Sequence, residues 1–247
     1  FLNFNASGAW TAAGLPTQSN GNFNWHVELP SFYWVHVGTS VWGYAPAYDD
    51  RVARGGPAVR RSFGRSSWLG VETDGRRAVV GSLFGSTSRD DEGATRGWSI
   101  DPSLQVRAST RFSASVGAGF GRDRIGAQWL RNEGTVGAAD ARYLFARLDQ
   151  TTFRTSARVN VTATPTLSLQ LWAQPFVSTG DYSELRRLSA PRARRMADRF
   201  APVDGDPGRF AFRELRSNSV LRWEYRPGST LFLVWQHGRS LYDDTPG

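Results

Sequence analysis

Cysteine is absent from the 247 residues. That excludes a disulfide framework, a thiolate zinc site and a cysteine nucleophile, and it leaves the redox compartment open. Lysine is absent as well, so all 30 basic residues are arginine, and the first 50 residues contain no basic residue at all. An all-arginine set can reflect codon usage, so it is the positions of the arginines, more than the formal charge of +8, that bear on partners. No apolar run is long enough for a transmembrane helix, which says nothing against membrane strands, whose signal is weaker. Histidine is scarce: His26, His36 and His237 stand alone, without the spacing of a metal site. No signal peptide is read within the sequence, Phe1 opens in a strand-like run, and the chain is expected to be a fragment cut at both ends.

What is present is glycine and aromatic residues, with Gly 26, Trp 10, Phe 15 and Tyr 7. This mixture favours short strands with aromatic faces and glycine-permitted bends. Turn chemistry recurs at 29–31, 73–76, 108–110, 164–166 and 226–229, each between two strand-like runs. Five hairpins follow. Long polar connections are expected at 8–22, 44–65, 86–95, 122–142 and 177–217, so that short and long alternate. Up-and-down outer-membrane barrels have this arrangement, with tight turns at one end and long loops at the other.

Alternation within the strands agrees, because side chains point to opposite faces with period two. Phe112, Ala114, Val116, Ala118 and Phe120 oppose Ser113, Ser115, Gly117 and Gly119. Phe153, Ala157, Val159 and Val161 oppose Arg154, Ser156, Arg158 and Asn160, and Leu221, Trp223 and Tyr225 oppose Arg222 and Glu224. About eleven strands would enclose an interior too wide for side chains to fill, since roughly eight already leave room for a small ligand. Lipid outside and a polar lumen inside is the simpler solution, and aromatics such as Trp25, Tyr33, Trp34 and Trp223 beside the turns suit an interfacial girdle. The alternative is a soluble sandwich with ordinary core aromatics.

YDDRVARGGPAVRR (48–61), FARLDQTTFRTSARVNVTATPTLSLQLWAQPFVSTGDYSELRRL (145–188) and SNSVLRWEYRPGSTLFLVWQHGRS (217–240) resemble the C-terminal half of a bacterial family of the domain of unknown function 5916 type. The resemblance implies an outer-membrane β-barrel preceded by a carbohydrate-binding-family-9-like sandwich. It covers the barrel part, with the sandwich and a last strand expected to lie outside this chain, so neither a glycan-binding nor a catalytic residue is carried over.

The expected fold is therefore an all-β antiparallel up-and-down transmembrane barrel fragment of about eleven strands that does not close, with edges unpaired at 1–7 and 230–237. Arg107, Arg111, Arg154, Arg158, Arg222 and Glu224 are candidates to line the lumen, where excess positive charge would favour anions. RRLSAPRARRMADRF (186–200) offers Arg186, Arg187, Arg192, Arg194, Arg195 and Arg199 as phosphate or lipopolysaccharide contacts, because an arginine fork matches phosphate. No stacking aromatics are interleaved there, which argues against nucleic acid. GAGFGR (117–122) lacks the helix and the Lys-Ser/Thr pair of a phosphate loop and suits a curved strand. Asp204 and Asp206 lack a bidentate glutamate for calcium and suit a tight turn. No metal, cofactor or enzymatic activity is expected. The function classes that remain are an outer-membrane channel, the membrane anchor of a glycan-binding exported protein, a soluble β-rich binding protein and an outer-membrane lipid hydrolase.

Overall fold

The computed structural model describes residues 1–245. Its strands are β1 (Leu2–Trp10), β2 (Pro16–Glu28), β3 (Trp34–Trp42), β4 (Tyr48–Asp49), β5 (Val59–Arg60), β6 (Gly64–Glu72), β7 (Val79–Asp90), β8 (Arg96–Ser109), β9 (Phe112–Glu133), β10 (Arg142–Thr164), β11 (Leu167–Leu188), β12 (Phe200–Pro202), β13 (Arg209–Arg226) and β14 (Ser229–Thr245). The one helix among the described residues, α1 (Met196–Arg199), is a single turn.

Eleven of these strands form one antiparallel path in the order β1-β2-β3-β6-β7-β8-β9-β10-β11-β13-β14, with β12 paired to β11 and a small β4-β5 hairpin apart. Each strand of the path pairs with its predecessor and successor, so the topology is up and down. β1 and β14 have one neighbour each, and the described residues form no closed barrel.

The predicted turns lie together at one end of the sheet. Leu29 N–H donates to the Tyr33 carbonyl at 2.8 Å, with Phe32 at φ 60° closing the β2-β3 turn. In the β13-β14 turn Gly228 has φ 78°, a region that glycine enters without steric cost. At the other end the connections are 11–15, 43–63, 91–95, 134–141 and 189–208, shorter than expected in most cases. β7, β9, β11 and β13 continue pairing into stretches whose polarity suggested loops, because backbone pairing does not require apolar side chains. Two of these connections, 11–15 and 91–95, are no longer than the 29–33 turn, so length alternates less strictly than the sequence suggested.

Register fixes two chemically distinct faces. Directly opposed residues include Leu2 and Trp25, Val37 and Leu69, Ile100 and Phe120, Val116 and Ala157, Leu169 and Leu221, and Leu221 and Leu233. They build an apolar band across the sheet. Its members are exposed or half-buried, with Val116 exposed by 44%, Trp223 by 48% and Leu233 by 65%. The buried core is elsewhere, at the end away from the tight turns, where Ala53, Tyr143, Phe145, Met196 and Phe200 pack together.

Candidate functional site

The polar face carries the predicted lumen residues. Arg154 reaches from β10 to Asp101 on β8, passing over β9 at Gly119. A Cβ at Gly119 would lie 2.6 Å from both Arg154 Nε and Asp101 Oδ1, so the glycine leaves room for this ion pair. Glycine repeats the device along this face. His26 of β2 meets Trp68 of β6 at 5.8 Å over Gly38, and His36 of β3 meets Phe84 of β7 at 5.6 Å over Gly70. Side chains two strands apart thus converge on the polar side, which is the crowded face of the sheet.

The remaining candidates are dispersed along that face. Arg158, opposite Ser115 and Trp172, is exposed and has no ion-pair partner among the described residues. Arg222 Nη2 donates to Glu224 at 3.1 Å, and Glu224 also accepts from Gly228 N–H at 3.2 Å, so this pair fastens the last tight turn. Arg107 donates to the carbonyls of Gly75 and Arg77 and is engaged by the neighbouring turn. Arg111 lies within the β8-β9 turn itself. Nearby, the Arg76 guanidinium and backbone N–H hold the buried Asp74 carboxylate down to about 2.

The arginines of 186–200 also divide. Arg186 and Arg187 extend β11, and Arg186 pairs with Glu184. Arg192 lies 5.8 Å above the Tyr48 ring, and Arg194 and Arg195 are exposed. Arg199 is 4% exposed and unavailable to an outside phosphate. Its Nε donates to Ala193 O at 2.8 Å, Nη2 to Arg194 O at 2.5 Å and Nη1 to Ser62 Oγ at 3.1 Å, with Glu92 at 3.8 Å. Burial pushes its guanidinium pKa down, partly offset by Glu92. Glu92 in turn accepts from Met196 N–H at 2.7 and 2.8 Å. Segments 43–63, 90–95, 126–145 and 188–200 are thereby tied into one lobe, and Arg60 N–H donates to Pro191 O at 2.8 Å within it. The sequence showed four separate polar stretches, and no local signal announced that they condense.

Cross-strand register also joins His26 and His36, whose Nδ1 atoms stand 2.7 Å apart, one donating and the other accepting. Trp34 stacks on His36 at 5.9 Å, and Glu72 lies 3.9 Å from His36 Nε2. The imidazoles are bonded to each other, and the described residues contain no group of three or more His, Asp or Glu poised to hold a metal. Asp101, Gly119, Ser62 and Glu92 were not singled out from sequence for these contacts, because each acts through a partner far away along the chain.

No match was found among curated proteins. Residues 5–245 match the domain of unknown function (DUF5916), and with nearly the whole sheet inside that match, the chain belongs to this family.

Proposed function

We propose that the chain is part of a bacterial outer-membrane β-barrel, with lipid against the apolar face and water against the polar one, and that it serves as the membrane anchor of an exported protein. One observation carries this reading: the apolar band is continuous across the sheet and exposed, while the buried core is confined to the lobe. Soluble monomers rarely expose a contiguous apolar patch beyond a few hundred Å². On β7, β8, β9 and β13 the band runs about ten residues, from Val79, Val106, Phe112 and Trp223 to Arg89, Arg96, Arg122 and Arg213. That is ~33 Å of strand, or ~25 Å of height at a 40° tilt, which matches the apolar band of outer-membrane barrels. The partners of this anchor are membrane lipid and the phosphorylated glycolipid of the outer leaflet. Its cargo, a glycan-binding domain, rests on family resemblance alone.

The test is flotation with phosphatidylcholine vesicles combined with quenching of tryptophan fluorescence by lipids brominated along the acyl chain. Quenching of Trp98, Trp223 and Trp235 is expected. A chain that stays in buffer without detergent and resists quenching is a soluble β protein, and the proposal fails.

Arg158, without an ion-pair partner among the described residues and beside Asn160 and Gln170 on the polar face, favours a second reading, a passive channel with anion preference. In planar bilayers, Arg154→Glu with Arg158→Glu should then reduce that preference. If conductance does not exceed the lipid background, only the anchor stands.

A further inference from the structure

At the lobe end of the apolar band, four arginines stand in one row across four strands. Arg65 on β6 is directly opposite Arg89 on β7, Arg89 is opposite Arg96 on β8, and Arg96 is opposite Arg124 on β9. Arg122, one step toward the band, is opposite Trp98. Directly opposed residues bring their Cβ atoms to about 5 Å, where like charges destabilise a sheet. The row nevertheless places arginine beside arginine three times in succession.

Neutralisation within the chain is incomplete. Arg124 is satisfied by Asp149 at 2.7 Å, and beyond it the row turns acidic, with Asp149 opposite Asp181. Among the described residues, Arg65, Arg89, Arg96 and Arg122 have no carboxylate partner, and all four are exposed. The nearest acidic residues are otherwise directed: Asp123 is on the opposite face, Asp90 accepts from Thr95 N–H at 2.8 Å, and Glu92 is held at Met196. Asp91 sits in the connecting loop, not in the row. Arg89, Arg96, Arg122 and Arg124 share a groove with Trp98 and Thr151 that Asp123, Asp149 and Asp181 also line. Trp98 and Phe120, ring centroids 5.5 Å apart, lie just below it, and Arg122 lies 5.8 Å from the Phe120 ring.

We infer that this arginine row is a binding site for the phosphate groups of a lipid headgroup, specifically a multiply phosphorylated glycolipid of the leaflet at the lobe end. The inference rests on the membrane reading above and gives that partner a location on β6–β9, away from the arginines of 186–200. Guanidinium forks donate to phosphate oxygens in pairs, and an anion lodged between adjacent arginines turns their mutual repulsion into shared attraction. A lipid is specified because the row adjoins exposed Trp98 and Ile100, so acyl chains would lie on the band while the phosphates meet the arginines. A ligand held by charge alone would gain nothing from that neighbourhood.

The experiment uses the full chain in phosphatidylcholine vesicles with and without a tenth of bisphosphorylated lipid A, with bound lipid counted after solubilisation by native mass spectrometry. Arg89→Gln with Arg96→Gln should weaken lipid A binding at least about tenfold, one charge-assisted contact being worth about that factor. Arg89→Lys with Arg96→Lys should retain part of it, and Arg192→Gln with Arg195→Gln should leave it within about twofold. Equal binding by the glutamine pair, or loss only in the 192/195 pair, overturns the site. Displacement by inorganic phosphate at concentrations comparable with lipid A overturns the lipid assignment. Brominated-lipid quenching runs in parallel on every variant: intact insertion with no lipid A preference sinks this inference alone, whereas failure of the unsubstituted chain to insert sinks the membrane reading with it.

Discussion

Replacing Arg199 by methionine should open the lobe without disturbing the sheet. The guanidinium is 4% exposed and donates to two backbone carbonyls and the Ser62 hydroxyl, with Glu92 nearby. Methionine preserves the length of the stem and removes all of these donors, leaving Ala193 O and Arg194 O without the bonds they had. A hydrogen bond from a charged donor is worth ~1.5–3 kcal/mol, and removing one partner of a buried charged set costs ~3–5 kcal/mol. Taking ~3 kcal/mol, local opening should become about a hundredfold more frequent. The amides of Arg60, Ser189 and Ala190 report it directly, since they bond to Pro191 O at 2.8 Å and to Arg199 O at 2.9 and 3.1 Å. Native-state hydrogen exchange should show these amides losing protection together, while Val116 and Leu171 in the sheet keep theirs. The exposed Arg194→Met is the control and should change little. If Arg199→Met leaves Arg60 and Ser189 as protected as before, the lobe is held by its apolar core alone and the role given to this cation is wrong.

Val116→Arg places a charge in the middle of the apolar band. It should lower folding stability in vesicles by ~2–4 kcal/mol, read from urea midpoints; a change near zero would mean that water already covers this face. Gly119→Val should separate Arg154 from Asp101, its Cβ having no room at 2.6 Å, and Asp101→Asn should then cost less in the valine background than in the unsubstituted chain; equal costs would mean the pair was never formed. Asp74, whose pKa is depressed to about 2 from the usual 3.8, contributes to the β6-β7 turn fully above pH ~4 and progressively less as pH falls through 2. Asp74→Asn should therefore flatten the acid limb of turn protection in that window, and an unchanged limb would rule Asp74 out.

The sheet was legible in the sequence because two signals coincide there. Period-two alternation at 112–121 and 152–163 assigns faces, and Pro-Gly or Asp-Gly chemistry at 227–228 and 74–75 assigns reversals. Together they assign faces and the order of pairing, while the register, with bulges such as Phe145/Arg147 and Ala146/Leu148, is set by the folded sheet. Strand ends were less legible. Polar stretches such as Arg209–Glu214 pair as fully as apolar ones, and nothing in their composition separates a strand in water from a loop. The site was least legible. Arg154 was placed on its face by alternation, but its partner Asp101 is 53 residues away and separated by another strand. The arginine row was hidden for the same reason, since Arg65, Arg89, Arg96 and Arg124 become neighbours only once the register of three strand pairs is known.

The location of the buried core bears on the solvent around the rest of the sheet. Residues 143–146 of β10 are buried, Phe145 to 1% and Ala146 to 0%, whereas Phe153 farther along the same strand is 44% exposed. Phe145 and Phe153 are the same residue type and both are paired on two sides, so secondary structure does not distinguish them. What differs is that the lobe covers the first and nothing among the described residues covers the second. In water, each uncovered large apolar side chain forgoes about 1.5–3 kcal/mol of burial free energy, a sum over the band that would far exceed the margin by which domains are stable. A chain that gathers four distant connections to bury Phe145, yet leaves Phe153, Val116, Ile100 and Trp223 bare, is consistent with two media along one strand: water where it supplies its own cover, and lipid where the cover is supplied for it. The arginines at Arg89, Arg96 and Arg122 fall at the boundary between the two. That is the depth at which a lipid phosphate would be found, and at that depth the row and the band form one surface.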